Sequence, residues 1–171
     1  TPILVVLGFM LVLGMFEATT LYVDTIRSGR TASVLRILQG TLPSWLMVLA
    51  LLPPIRWLSR RARIGPGNWT HTIPIHVLAG GTFAIVTMSS TALILKAMGR
   101  HPGMTLPTAV YEYIISFAAN QIAVYAAIVG VFHAFDYLAE SEQRERERAQ
   151  LAISLSESRL NALRSQLRPH F

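Results

Sequence analysis

The side chains able to do chemistry in this chain are few and unevenly placed. His170 directly follows Pro169, with Arg164 and Arg168 just before it. An unperturbed imidazole, pKa about 6.5, is mostly neutral at pH 7. Its free ring nitrogen can attack an electrophile such as a γ-phosphorus, provided it is aimed in line. Position is therefore the requirement. Pro169 cannot donate to the carbonyl of Ser165, so a helix must bend or break where the imidazole projects. The two arginines would steer an anionic nucleotide or an acidic partner. The plainer account is that proline after a helix is a common stop signal and that a terminal histidine is merely solvated.

The remaining candidates lie within apolar stretches, where ionisable groups are costly and point to function. Glu17, Lys96, Arg100, His101 and Glu112 fall toward one end of those stretches. A charge-paired cluster there, Glu17 with Lys96 for example, would form the mouth of a ligand site; the alternative is snorkelling to the headgroups. His71, His76, His133 and Asp136 fall toward the other end. His133 and Asp136 are i,i+3 neighbours, which suits a metal site, a pH sensor or plain interfacial hydrogen bonding. Hydrogen bonding is the better expectation, because the ligand spacing of a metal motif is missing. Asn120 and Gln121 match the depth of Thr87, Ser89 and Ser90. They either glue helices together, at about 0.6–2 kcal/mol per bond, or line a small-molecule cavity. Gly80 and Gly81 permit close helix approach. Glu17, Lys96, Glu112, Asn120 and Gln121 are thus the candidate sensing residues.

The elements that must position these groups follow from composition. Of 171 residues 52% are hydrophobic and only 14% charged, with a mean hydropathy of +0.45; a soluble domain carries about a quarter charged residues. The expectation is an all-α membrane protein. Spans of about 20 apolar residues are expected at about Pro2–Val23, Thr41–Leu58, Ile73–Lys96 and Ala109–Tyr137. The pair Pro53-Pro54 should kink the second span or end it. No signal peptide is expected, since the first run lacks a basic n-region and a cleavage site. Without Cys there are no disulfides or thiolate sites. The net charge of +6 does not argue for nucleic acid, because most of the Arg flanks apolar segments, where anionic lipid is the simpler partner. Arg56, Arg60, Arg61 and Arg63 form the densest cluster between spans. Together with Arg144, Arg146 and Arg148 they place both termini in the cytoplasm.

Beyond Leu138 the chain turns polar. Glu140 to Arg148 reads ESEQRERER, with Glu140–Arg144 and Glu142–Arg146 at the favourable i,i+4 spacing, each pair worth about 0.2–0.5 kcal/mol. Ala149, Ile153, Ser156, Leu160, Leu163, Leu167 and His170 then alternate at fours and threes, a heptad seam. The expected organisation is a four-helix sensor at 1–137, a charged juxtamembrane helix at 138–156, and at 157–171 the start of a dimerisation segment, in a parallel coiled-coil dimer.

The segment Leu160-x-x-Leu163-x-x-Gln166-Leu167-x-Pro169-His170-Phe171 resembles the phosphoacceptor segment of the LytS-type sensor histidine kinases. More loosely, Trp45 to Ala50, Pro54-x-x-Trp57-Leu58-x-Arg60-Arg61, Trp69 and His76 resemble the N-terminal membrane block of many such kinases. The resemblance implies a homodimeric two-component phosphoprotein of the bacterial inner membrane, in contact with its lipids. His170 would be autophosphorylated from ATP and Mg²⁺, with Pro169 bending the helix to position it. The ATP-binding domain would follow Phe171, so the protein-histidine kinase is the longer protein, and these residues alone bind no cofactor and are inactive. The phosphoryl group would pass to a response regulator, often a DNA-binding one of the LytTR kind.

No GxxxxGK[ST], H-E-x-x-H or G-x-S-x-G pattern occurs, which leaves no sign of a phosphate loop, a zinc protease or a nucleophile elbow. Two other classes fit the same composition. One is a transporter or channel subunit with a coiled-coil tail, which requires a continuous polar face through spans three and four. The other is a membrane adaptor that recruits a partner through the Arg-rich helix.

Overall fold

The computed structural model describes residues 2–29, 31, 33–65, 67–100 and 102–166, and all regular structure among them is α-helical. The helices are α1 (Pro2–Arg27), α2 (Val34–Arg61), α3 (Trp69–Ala97) and α4 (Leu106–Gln166). All four contain a stretch long and apolar enough to cross a membrane, compatible with a multi-pass membrane protein. The chain divides into two compact units, Thr1–His133 and Ala134–Phe171.

In the first unit each helix turns one stripe inward and leaves the rest of its apolar surface open. On α1 the inward stripe is Val6, Met10, Leu13, Glu17 and Leu21, spaced by fours and threes, the period of one helix face. Leu4, Leu11, Val12 and Phe16 on the other faces are exposed, as befits surfaces that hydrocarbon covers. The core joins Val6 and Met10 to Val48 and Ile55 of α2, Phe83 of α3, and Val124, Tyr125, Ile128, Val129 and Phe132 of α4. Gly80 allows the closest approach. A Cβ there would lie 3.1 Å from the Tyr125 ring, whereas one at Gly81 would meet nothing within 4 Å.

The prolines of α2 do not end it. The helix contains Pro43, Pro53 and Pro54 and runs on to Arg61. Each proline removes one backbone donor, but beyond the pair Ile55 and Ser59 are buried, and Arg56 lies over the Phe132 ring at 4.9 Å. Packing on both sides holds the turn that local propensity would release, the usual reason prolines survive within packed membrane helices.

Among its described residues the second unit is a single helical stretch, exposed from Glu142 onward. Arg144 meets Glu140 at 2.6 Å and Arg146 meets Glu142 at 3.6 Å, the two pairs expected from spacing. Gln143 adds a bond to Glu147 at 3.0 Å. Ile153, Leu160 and Leu163 of the heptad seam are 61%, 52% and 55% exposed, so within this unit they pack against nothing.

Candidate functional site

The site begins with a carboxylate on the inward stripe of α1. Glu17 is half-buried, and its Oε2 accepts the indole N–H of Trp45 at 2.9 Å. Trp45 reaches it because Gly14, one turn earlier on α1, has no side chain: a Cβ there would already touch the indole at 3.4 Å. Glu17 is therefore fixed between helices and does not snorkel.

A cation is brought to the same region by the end of α3. The N–H of Arg100 bonds to the carbonyl of Leu95 at 3.0 Å, and that of Gly99 to Lys96 at 2.9 Å. Gly99 has φ 73°, a left-handed conformation that glycine adopts without a Cβ penalty. These are the paired bonds of a Schellman stop. The reversal turns Arg100 toward α2, where its Nη2 donates to the carbonyl of Arg36 at 2.9 Å. Gly40 leaves room for it, its Cβ position lying 3.6 Å from the same nitrogen.

Between these groups lies a cavity of about 310 Å³, bordered by all four helices and the α1–α2 connection. It exists because the inward residues at this end are small: Gly40, Thr41 and Ser44 on α2 and Thr91 on α3. Its floor carries hydrogen-bond acceptors. Thr25, Thr41, Ser44 and Thr91 all donate their hydroxyl protons to carbonyls of their own helices, which leaves oxygen lone pairs but no hydroxyl donor. Gln121 is only 4% exposed, borders the cavity, and its side-chain oxygen has no hydrogen-bond partner. A buried polar atom left unpaired costs about 1–3 kcal/mol, a cost that the fold carries at the border of this cavity. The rim differs. Arg36 and Arg100, with Tyr113 beside them, supply the donors.

At the opposite end of the bundle the histidines are paired, beside a mostly apolar cavity of about 460 Å³ that His76 and His133 border. His76, 8% exposed, contacts the carbonyl of Ala62 through Nε2 and the hydroxyl of Tyr125 through Nδ1, both at 2.9 Å. A carbonyl only accepts, so Nε2 carries the proton and Nδ1 accepts from Tyr125. His133 has the other tautomer. Its Nε2 accepts the backbone N–H of Ile64 at 3.1 Å, so Nδ1 carries the proton and faces the Val129 carbonyl at 2.9 Å and Ser59 Oγ at 3.2 Å. The two rings meet edge-on, 5.8 Å apart. Asn68 closes the turn between α2 and α3, accepting from the Gly65 N–H and donating to the Arg63 carbonyl, both at 2.8 Å.

Of the candidate sensing residues, Glu17 and Gln121 share the cavity. Asn120 is exposed and borders a neighbouring, mostly apolar cavity that Glu17, Trp45 and Phe117 also line. Lys96 does not pair with Glu17; its ammonium bonds to the Met104 carbonyl in the α3–α4 connection. Glu112 is exposed on α4. The expected bonds between α3 and Gln121 are not made, since Thr87 bonds back to Phe83 and Ala84. His133 serves hydrogen bonding, and among the described residues no three His, Asp or Glu side chains gather as a metal site would require. His101, Pro169 and His170 lie outside the described residues. Sequence reading passed over Arg36, Trp45 and Tyr113 as parts of this site. The Lys96-x-x-Gly99-Arg100 stop was the available signal that Arg100 folds back onto α2. Compared with known proteins, the chain matches no family model, no curated protein and no solved structure.

Proposed function

We propose that this chain is the membrane sensor of a histidine kinase, with its N- and C-termini in the cytoplasm and His170 as phosphoacceptor. The observation that carries the reading is the continuity of α4. Tyr113, Phe117 and Gln121 on this helix border the cavity, and the same helix ends at Gln166, within the segment that resembles a LytS-type phosphoacceptor. The exposed Ile153, Leu160 and Leu163 supply the seam of a parallel dimer.

In the reaction a neutral ring nitrogen of His170 attacks the γ-phosphorus of ATP. An N–P bond forms, the bond to the bridging oxygen breaks, and ADP leaves. The phosphoryl group then passes to an aspartate of a response regulator. ATP and Mg²⁺ supply the phosphoryl group and its charge neutralisation, held by a catalytic domain outside these residues. This chain's own part is to aim the imidazole through Pro169 and to steer its anionic partners with Arg164 and Arg168.

The polar lining favours a sensor over a transporter. Past Gln121 the inward stripe of α4 continues as Val124, Tyr125, Ile128 and Phe132, all buried in the core, so beyond Gln121 this stripe is apolar apart from the Tyr125 hydroxyl that His76 holds. The test is autophosphorylation of the full-length protein in liposomes with γ-labelled ATP. Label that is acid-labile, base-stable and lost in His170→Gln is the expected result. Equal labelling of wild type and variant, or no label in folded protein that binds ATP, would sink the reading.

A further inference from the structure

The α2–α3 connection is tied to the bundle by two histidines that differ in one respect. His76 of α3 donates from Nε2 to the Ala62 carbonyl and accepts the Tyr125 hydroxyl at Nδ1, both at 2.9 Å. His133 of α4 accepts the Ile64 N–H at Nε2, at 3.1 Å, and donates from Nδ1 to the Val129 carbonyl at 2.9 Å. An imidazole that gains a proton has two N–H groups and no lone pair. His76 can take that proton and keep both partners, because the Tyr125 hydroxyl can turn and accept. His133 cannot. Its Nε2 faces a backbone N–H, which only donates, so two donors would meet and the bond to Ile64 must break.

The surroundings give that break room to act. His133 is half-buried and Ile64 exposed. Both border the cavity of about 460 Å³ at this end, so a freed Ile64 has space to move. The other charged or titratable groups here come from each neighbouring element. Arg56 of α2 lies over the Phe132 ring at 4.9 Å, and Arg63 precedes Ile64 in the connection. The His76 ring of α3 is 5.8 Å from that of His133. On α4 itself stand Tyr125 and, three residues beyond His133, Asp136; α1 brings its Glu17 to the other end. Arg, Asp and Tyr ordinarily hold one charge state between pH 5 and 8, whereas an imidazole changes within that range.

We infer that His133 is a proton-operated latch: neutral, it holds the α2–α3 connection against α4, and with a second proton on the ring it lets Ile64 go. His133 is the last residue of the first unit, on the helix that runs on to Gln166, so the latch sits where α4 leaves the bundle. In the proposed orientation the connection lies on the cytoplasmic side, and the proton sensed is the cell's own. As a control on phosphorylation this rests on the sensor reading. The latch itself needs no ATP, so either idea can fail without the other.

The test is hydrogen exchange at the Ile64 amide of the full-length protein in nanodiscs. It is read by NMR relative to the intrinsic rate at each pH, alongside the ring-nitrogen signals of the histidines. Between pH 8 and pH 5 Ile64 protection should fall about tenfold, the size of one hydrogen bond, in step with the His133 ring signals. The Arg100 amide, bonded to the Leu95 carbonyl at the other end, should keep its protection. His133→Gln, whose side-chain oxygen accepts throughout that range, should hold Ile64 protected at every pH. His71→Gln, at an exposed position of α3, should behave as wild type. Ile64 protection that stays level while the His133 ring gains its proton would overturn the latch, as would a ring that stays neutral down to pH 5. So would an equal fall in His133→Gln, which would place the responsible proton elsewhere. A fall shared by the Arg100 amide would also overturn it, because the change would then be global unfolding.

Discussion

The two ends of the four-helix unit use the same four helices and similar polar residues to opposite effect. At the α2–α3 end, four histidine nitrogens all have partners, and the cavity of about 460 Å³ beside them is lined otherwise by apolar side chains such as Ile73, Val77 and Val129. At the other end Gly40, Thr41, Ser44 and Thr91 leave a cavity, Gln121 keeps an unpaired oxygen, and charges of both signs border the same space. A fully satisfied polar network fixes a single arrangement, whereas a partly satisfied one is high in free energy until something completes it. The paired end thus serves as the anchor, and the end with the unpaired Gln121 oxygen is where the energy of the fold can still change.

That contrast can be broken experimentally. The largest effect is expected at the histidine end: His76→Leu strands the Ala62 carbonyl and the Tyr125 hydroxyl and should cost about 2–4 kcal/mol, read by denaturant unfolding in detergent. Next comes the close approach beneath it. Gly80→Ala must displace the Tyr125 ring and should cost about 1–3 kcal/mol, while Gly81→Ala, with open space around it, should be neutral or slightly stabilising in the same assay. At the Glu17 end Trp45→Phe removes the hydrogen bond that the indole gives Glu17, with an expected loss of about 1–2 kcal/mol. The smallest effect distinguishes the two ends best. Gln121→Leu removes a polar atom that has no partner, so it should stabilise the fold, by about 1 kcal/mol. If Gln121→Leu proved as damaging as His76→Leu, the candidate sensing position would be a structural one.

Much of this was legible in the sequence. Four apolar runs separated by short polar stretches specify four long helices, and charge spacing in ESEQRERER specifies the pairs that form in the second unit. Glu17 and Gln121 were legible as candidates because a polar residue in an apolar run is costly wherever it points. What it costs, and who shares the cost, was not legible. The proline pair of α2 illustrates the limit: local rules end the helix there, while burial of Ile55 and Ser59 carries it to Arg61.

The sequence by itself determined the number of helices and the ion pairs of the second unit, because these depend on residues within a few positions of one another. Only the tertiary structure decided that Glu17 takes its bond from Trp45 rather than from Lys96, that Arg100 folds back to Arg36, and that His76 holds the Ala62 carbonyl. Helical periodicity fixes which residues share a face. Rotation of each helix about its axis and its closeness to its neighbours fix which faces meet, and those depend on how every side chain in the bundle packs at once.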